Sequence, residues 1–216
     1  MFQKLKDPGS AITHGIAMLS AVSAASPLLV KALRGPNQEH ALSLAVFILS
    51  MILLYGASTL YHSLNLSAKG NLILKKLDHA MIFILIAGSY TPVCVIVIKG
   101  VLGYGMLALI WGIALIGIIL KMCYINCPHW LSSLIYISMG WTCVLAFSPI
   151  INNLPRPAFF LLLAGGIIYT VGGIIYALKL PIFNQLHKNF GSHEIFHLFV
   201  MGGSFCHYLM AYLYLA

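Results

Sequence analysis

Residues 78–98 read DHAMIFILIAGSYTPVCVIVI, and after the opening Asp78 and His79 no charged side chain follows until Lys99. A bilayer core about 30 Å thick takes about 20 apolar helical residues per crossing, so this run has the length of one span. Six other stretches share its character, near 13–32, 42–64, 101–120, 130–150, 158–178 and 193–215. Little is left over for a soluble part. The expectation is an all-α, polytopic membrane protein: a seven-transmembrane-helix bundle forming one domain over residues 1–216.

Composition supports the same class. The chain is 61% hydrophobic and 7% charged over 216 residues, a balance that a water-facing surface does not carry. The net charge of +8 would suggest nucleic acid in a soluble protein, but the positive-inside rule accounts for most of it. With the N-terminus inside, the inner segments hold Lys4, Lys6, Lys69, Lys75, Lys76, Lys121, Lys179 and Lys188. The outer ones hold Lys31, Arg34, Lys99 and Arg156. This eight-to-four division of the 12 basic residues places the N-terminus in the cytoplasm and Ala216 outside, in the plasma membrane (a bacterial inner membrane), with the bilayer as partner and no nucleic acid. Lys4 and Lys6 precede an apolar run longer than a signal-peptide core, so cleavage is not expected.

Within the spans, the few polar residues recur at matching ends. Ser58 and His62 lie near the end of the second, Asp78 and His79 open the third, and His193 and His197 open the seventh. Spans two and three meet at one membrane face, and span seven starts from the same face, so all three groups converge whichever way the chain is oriented. Helical neighbours four apart share a face, which pairs Ser58 with His62 and His193 with His197. Ionisable groups inside a membrane are functional by default, because burying them unpaired is costly.

Three imidazoles from His62, His193 and His197 would give zinc three nitrogen ligands and an open fourth position, the catalytic rather than the structural pattern. Asp78 is then placed to bond a metal-activated water, accept its proton or orient a ligand histidine. Ser58 can donate to that water or to a substrate oxygen. The same residues also suit interhelical hydrogen bonds or a proton path, and spacing alone does not choose.

The remaining polar residues read more plainly. Cys123, Cys127 and His129 form a C-x3-C-x-H cluster with no fourth ligand nearby, and five cysteines suggest no disulfide framework. His14 and His207 read as hydrogen-bond donors between helices, and His207 stands about 15 Å along the helix from His197. His79 points about 100° away from Asp78, towards the interface or another helix. Segment 65–77 is expected to lie along the interface, where its lysines meet anionic headgroups. Gly88, Gly165, Gly166, Gly172, Gly173, Gly202 and Gly203 mark close helix contacts, with the two pairs in span six forming one smooth face.

In these motifs the chain resembles the bacterial hemolysin III-type members of the progestin and adipoQ receptor family. The matching pieces run in order along the chain: Thr13-His14-Gly15, then Ala57-Ser58-Thr59-Leu60-Tyr61-His62, then Leu77-Asp78-His79 with Gly88-Ser89-Tyr90-Thr91-Pro92. Met139-Gly140-Trp141 follows in span five, and His193-x-x-x-His197 with Cys206-His207 in span seven. The resemblance implies seven helices with an inside N-terminus, zinc on His62, His193 and His197, and Ser58 and Asp78 beside the metal. It also implies kinship with membrane ceramidases, and hence hydrolysis of a lipid amide or related acyl lipid in membrane lipid homeostasis. The long N-terminal region of the animal receptors has no counterpart here.

Two other functions compete. One is a receptor or sensor whose zinc holds three helices together without turnover. The other is an intramembrane metalloprotease, since His193-Glu194-Ile195-Phe196-His197 is a literal H-E-x-x-H in which Glu194 would be the general base. The protease reading leaves His62 unexplained, and Glu194 is expected as an interfacial residue near Lys188.

Overall fold

The computed structural model describes residues 5–35, 37–178 and 190–216, apart from the side chain of Gln38. Among these, seven helices are long and apolar enough to cross a membrane. They are α1 (Pro8–Leu33), α2 (Glu39–Ser63), α3 (Ala68–Ile98), α4 (Gly100–Cys123), α5 (His129–Asn153), α6 (Arg156–Leu178) and α7 (Ser192–Leu215). Lys4, Lys179 and Lys188, counted above for charge, lie outside the described residues.

The largest departure from expectation is α3, which begins at Ala68 rather than at 78. Ser67 caps it: its hydroxyl accepts from the Gly70 amide at 3.2 Å, satisfying a donor that the first turn leaves free. The lysines that suggested an interfacial loop are compatible with helix, because a long ammonium side chain can lie along apolar surface and reach a polar level. Lys76 does so by bonding the carbonyl of Met122 in the last turn of α4. Asp78 therefore does not open α3 but sits about 15 Å inside it.

Neighbouring helices pack in chain order from α1 to α4, α5 packs mainly on α6, α6 on α7, and α7 returns to α1. The core is centred on α2 and α3, around Leu44, Phe47, Tyr55, Phe83 and Cys94. Large apolar residues such as Leu19, Leu42, Ile116 and Leu145 face outward, as a lipid-facing surface requires. The α3–α4 turn is tight: Gly100 adopts φ +59°, and a Cβ at Gly103 would stand 2.4 Å from the Cys94 carbonyl.

Helices α3 and α7 end in π-helical turns, Val93–Ile98 and Ala211–Leu215, and α5 is irregular in its middle. Its α-helical start ends at Gly140, a 3-10 stretch covers Trp141–Ala146, and α geometry resumes at Phe147. Irregular backbone at membrane depth survives only where protein or a cavity satisfies it. Tyr90 of α3 does this, donating its hydroxyl to the Gly140 carbonyl at 2.6 Å and accepting from the Cys143 amide at 2.8 Å. Trp141 donates its indole N–H to Thr170 of α6 at 3.0 Å. Because α5 makes only slight contact with α3, a cavity of about 260 Å³ remains among α3, α5, α6 and α7.

Candidate metal centre

The end of α2 and the first turns of α7 bring His62, His193 and His197 together, each offering a ligand atom within 4.8 Å of the others. His62 Nε2 and His193 Nε2 lie 3.2 Å apart. A tetrahedral ion with zinc–nitrogen bonds of 2.0–2.1 Å separates its ligand nitrogens by about 3.3 Å, so the spacing fits. His62 and His197 are buried and His193 half-buried. This is the one group of three or more potential ligands among the described residues, and Cys123, Cys127 and His129 do not form another. His129 instead bonds the Tyr176 hydroxyl at 2.7 Å, and all five cysteines are free.

Helix α1 sets the rings. Asp7, just ahead of it, has Oδ2 3.0 Å from His62 Nδ1, and its amide donates to the His62 carbonyl at 2.9 Å. A carboxylate there accepts from Nδ1–H and leaves the lone pair of Nε2 facing the cluster, the support commonly given to metal-binding histidines. Thr13 performs the corresponding task for His197. Its hydroxyl donates to the backbone of Gly9 or Ser10 at 3.0–3.1 Å, so at 3.2 Å from His197 Nδ1 it accepts, again freeing Nε2. His14 stacks on His197 with ring centroids 3.5 Å apart and planes 7° from parallel. Both of its nitrogens are enclosed without a hydrogen-bond partner, so it supports the ligand ring by its face and is not the interhelical donor expected from its position. His207 does bridge helices, with Nε2 3.3 Å from the Leu162 carbonyl.

Asp78 and Ser58 line the cavity wall beside this cluster without joining the ligand group. The Ser58 hydroxyl faces Asp78 but makes no hydrogen bond of ordinary geometry. His79 does not turn away from Asp78: its Nδ1 lies 3.3 Å from Asp78 Oδ2 and 2.9 Å from the Lys75 carbonyl, because one ring N–H reaches both acceptors across a single helical turn. Glu194 is occupied elsewhere. One carboxylate oxygen accepts from Ser10 at 2.6 Å and the other from the Gly191 amide at 2.8 Å, an arrangement that caps α7 and ties it to α1. It does not line the cavity, and Lys188, its expected neighbour, lies outside the described residues.

From this polar end the cavity runs along α3 from Asp78 to Val93 and along α7 from His193 to His207, roughly 20 Å at 1.5 Å per residue. Beyond the histidines its walls are almost wholly apolar, with Leu85, Val144, Phe147, Ile150, Phe159 and Leu162. One leaflet's share of a 30 Å core is about 15 Å, so the cavity is at least as long as one leaflet is deep.

Comparison with known proteins agrees with this architecture. A family model described as "Haemolysin-III related" matches residues 2–208. "Hemolysin-3" of Bacillus cereus is 40% identical over 195 residues, covering 90% of this chain and 85% of the relative. "Hemolysin-3 homolog" of Bacillus subtilis (strain 168) is 38% identical over 204 residues, covering 94% and 92%. The chain is an integral, multi-pass membrane protein belonging to the haemolysin-III-related family.

Proposed function

We propose that the protein is a zinc-dependent intramembrane hydrolase of an acyl lipid, a lipid amide or ester, serving membrane lipid homeostasis. The observation that carries this reading is a three-histidine cluster of metal-compatible spacing at one end of an apolar cavity of acyl-chain length. His62, His193 and His197 would hold the ion. When bound, zinc supplies Lewis-acid activation of water and of a carbonyl oxygen. Asp78, on the cavity wall, accepts the proton of the attacking water and returns it to the leaving nitrogen or oxygen. Ser58, whose hydroxyl faces Asp78 on the cavity wall, turns to donate to the substrate's carbonyl oxygen. The apolar wall holds the chain and excludes bulk water from the cleft.

The positions of the two carboxylates favour lipid hydrolysis over peptide cleavage, since Asp78 borders the cavity while both oxygens of Glu194 serve as a cap. Purified protein should carry about one zinc per chain, lost when His62, His193 and His197 are all replaced by Ala. Asp78→Asn should keep the zinc and lose about 10²–10⁴-fold in lipid hydrolysis, whereas Glu194→Gln should retain most of it. Full hydrolysis in Asp78→Asn with loss in Glu194→Gln would instead support the protease. Because residues from α1, α2 and α7 all bear on the ligands, zinc without any lipid turnover would mark a receptor or sensor held together by its metal.

A further inference from the structure

The chain has four carboxylates, and each has a place: Asp7 at His62, Asp78 at His79, Glu194 at Ser10 and Gly191, and Glu39 in the first turn of α2. None is paired with Lys121. Yet Lys121, in the last turn of α4, is only 4% exposed, and its ammonium donates to the Ser132 hydroxyl of α5 at 2.6 Å. An ammonium has three hydrogens to give, and burying one without a counter-charge is costly. The next residue, Ser133, carries an enclosed hydroxyl with no hydrogen-bond partner among the described residues. Ser132 and Ser133 both line the cavity.

The same helical turns connect this group to the level of the histidine cluster. His129, one turn before Ser133, bonds Tyr176, whose ring lies against His193. Tyr136, one turn after Ser132, donates to the His79 carbonyl at 3.3 Å. The two serines thus stand on the cavity wall across its polar end from the α2 and α7 histidines, while Lys121 is not itself on the wall and reaches it only through Ser132.

We infer that Lys121, Ser132 and Ser133 form an anion subsite that takes a carboxylate or phosphate on the polar part of the lipid whose chain fills the cavity. Ser133 donates to the anion directly, and Lys121 supplies the compensating charge from behind Ser132. The inference rests on the lipid reading of the cavity and narrows it: the favoured substrate is an anionic acyl lipid, with a neutral ceramide-like one less favoured. Ser132 is not a lysine-activated nucleophile here, since it accepts from Lys121 and its own proton faces the Pro128 carbonyl at 3.3 Å.

Binding separates this inference from turnover. Radiolabelled palmitate bound to the purified, zinc-loaded full chain is displaced by hexadecyl phosphate, hexadecanol or inorganic phosphate. Hexadecyl phosphate should compete at least about tenfold better than hexadecanol, the scale of a buried charge-assisted hydrogen bond, and inorganic phosphate should compete poorly. Lys121→Gln should abolish that preference, with zinc content and hexadecanol binding unchanged, and Lys121→Arg should keep it. Ser133→Ala, which removes a hydroxyl that bonds nothing among the described residues, should fold normally and weaken the preference severalfold even if Lys121→Gln does not fold. A preference that persists in both variants would mean the anion sits elsewhere, at the metal for instance. That result, no preference in the unchanged chain, or inorganic phosphate competing as well as the alkyl phosphate would each overturn the subsite. Absence of hydrolysis would refute the enzyme reading and leave the binding result standing.

Discussion

His62 receives two restraints from one residue: the Asp7 carboxylate at its Nδ1 and the Asp7 amide at its carbonyl. Removing the carboxylate frees the ring to rotate and to exchange tautomers, at a cost to metal binding of about 10–100-fold for such supporting partners. Asp7→Ala should therefore weaken zinc binding by that factor in a chelator competition, with the helical content unchanged. An affinity equal to that of the unchanged chain would show that packing alone fixes the ring. The convergence of His62, His193 and His197 was legible as histidines at helical spacing in otherwise apolar runs. Asp7 was not, because it lies outside the apolar stretches, where a carboxylate carries no cost and attracts no notice. Nor was the work of His14: its stacking on His197 depends on how α1 crosses α7, and periodicity holds no record of that crossing.

At the scale of helices, the glycine pairs of α6 divide their labour instead of forming one face. A Cβ at Gly165 would lie 2.4 Å from the His207 ring, and one at Gly172 would lie 2.5 Å from Phe199, both on α7. Gly173 meets Ile137 of α5, while Gly166 has nothing within 4 Å and borders the cavity. Gly165→Ala should then force α6 and α7 apart and cost about 1–3 kcal/mol, the usual penalty of overpacking, whereas Gly166→Ala should be nearly neutral. Thermal unfolding of the two variants in the same detergent tests the contrast, and equal losses would contradict the assigned faces. The existence and order of the seven helices could be read from hydrophobic length, since the bilayer imposes that length directly. The start of α3 could not. Segment 68–77 carries three lysines, and hydropathy does not distinguish a charged loop from a helix whose lysines reach a polar level, while the deciding feature was a single cap at Ser67.

For the whole molecule, the charge distribution makes a statement about sidedness. At the end that holds the histidine cluster, the described residues include Lys6, Lys69, Lys75, Lys76 and Lys121, against Lys31, Arg34, Lys99 and Arg156 at the far end. The bias is less one-sided than the count suggests, because Lys121 is turned inward to Ser132 and adds little to the field at the surface. The lysines of α3 still lie within reach of a membrane surface, where each is worth about 1 kcal/mol against anionic lipids. By the positive-inside rule, the cluster's end, and with it the N-terminus, is expected in the cytoplasm. Cys123 is a native reporter for that placement: it ends α4 on the cluster's side and is exposed, while Cys94 is buried and Cys127, Cys143 and Cys206 are partly covered. A membrane-impermeant thiol reagent should label Cys123 in inverted membrane vesicles and spare it in intact cells, with Cys123→Ser losing most of the signal. Labelling from outside intact cells would reverse the orientation of every helix. The histidine cluster, the cavity and the anion subsite would keep their relative positions, but the polar part of the lipid would then be drawn from the outer leaflet.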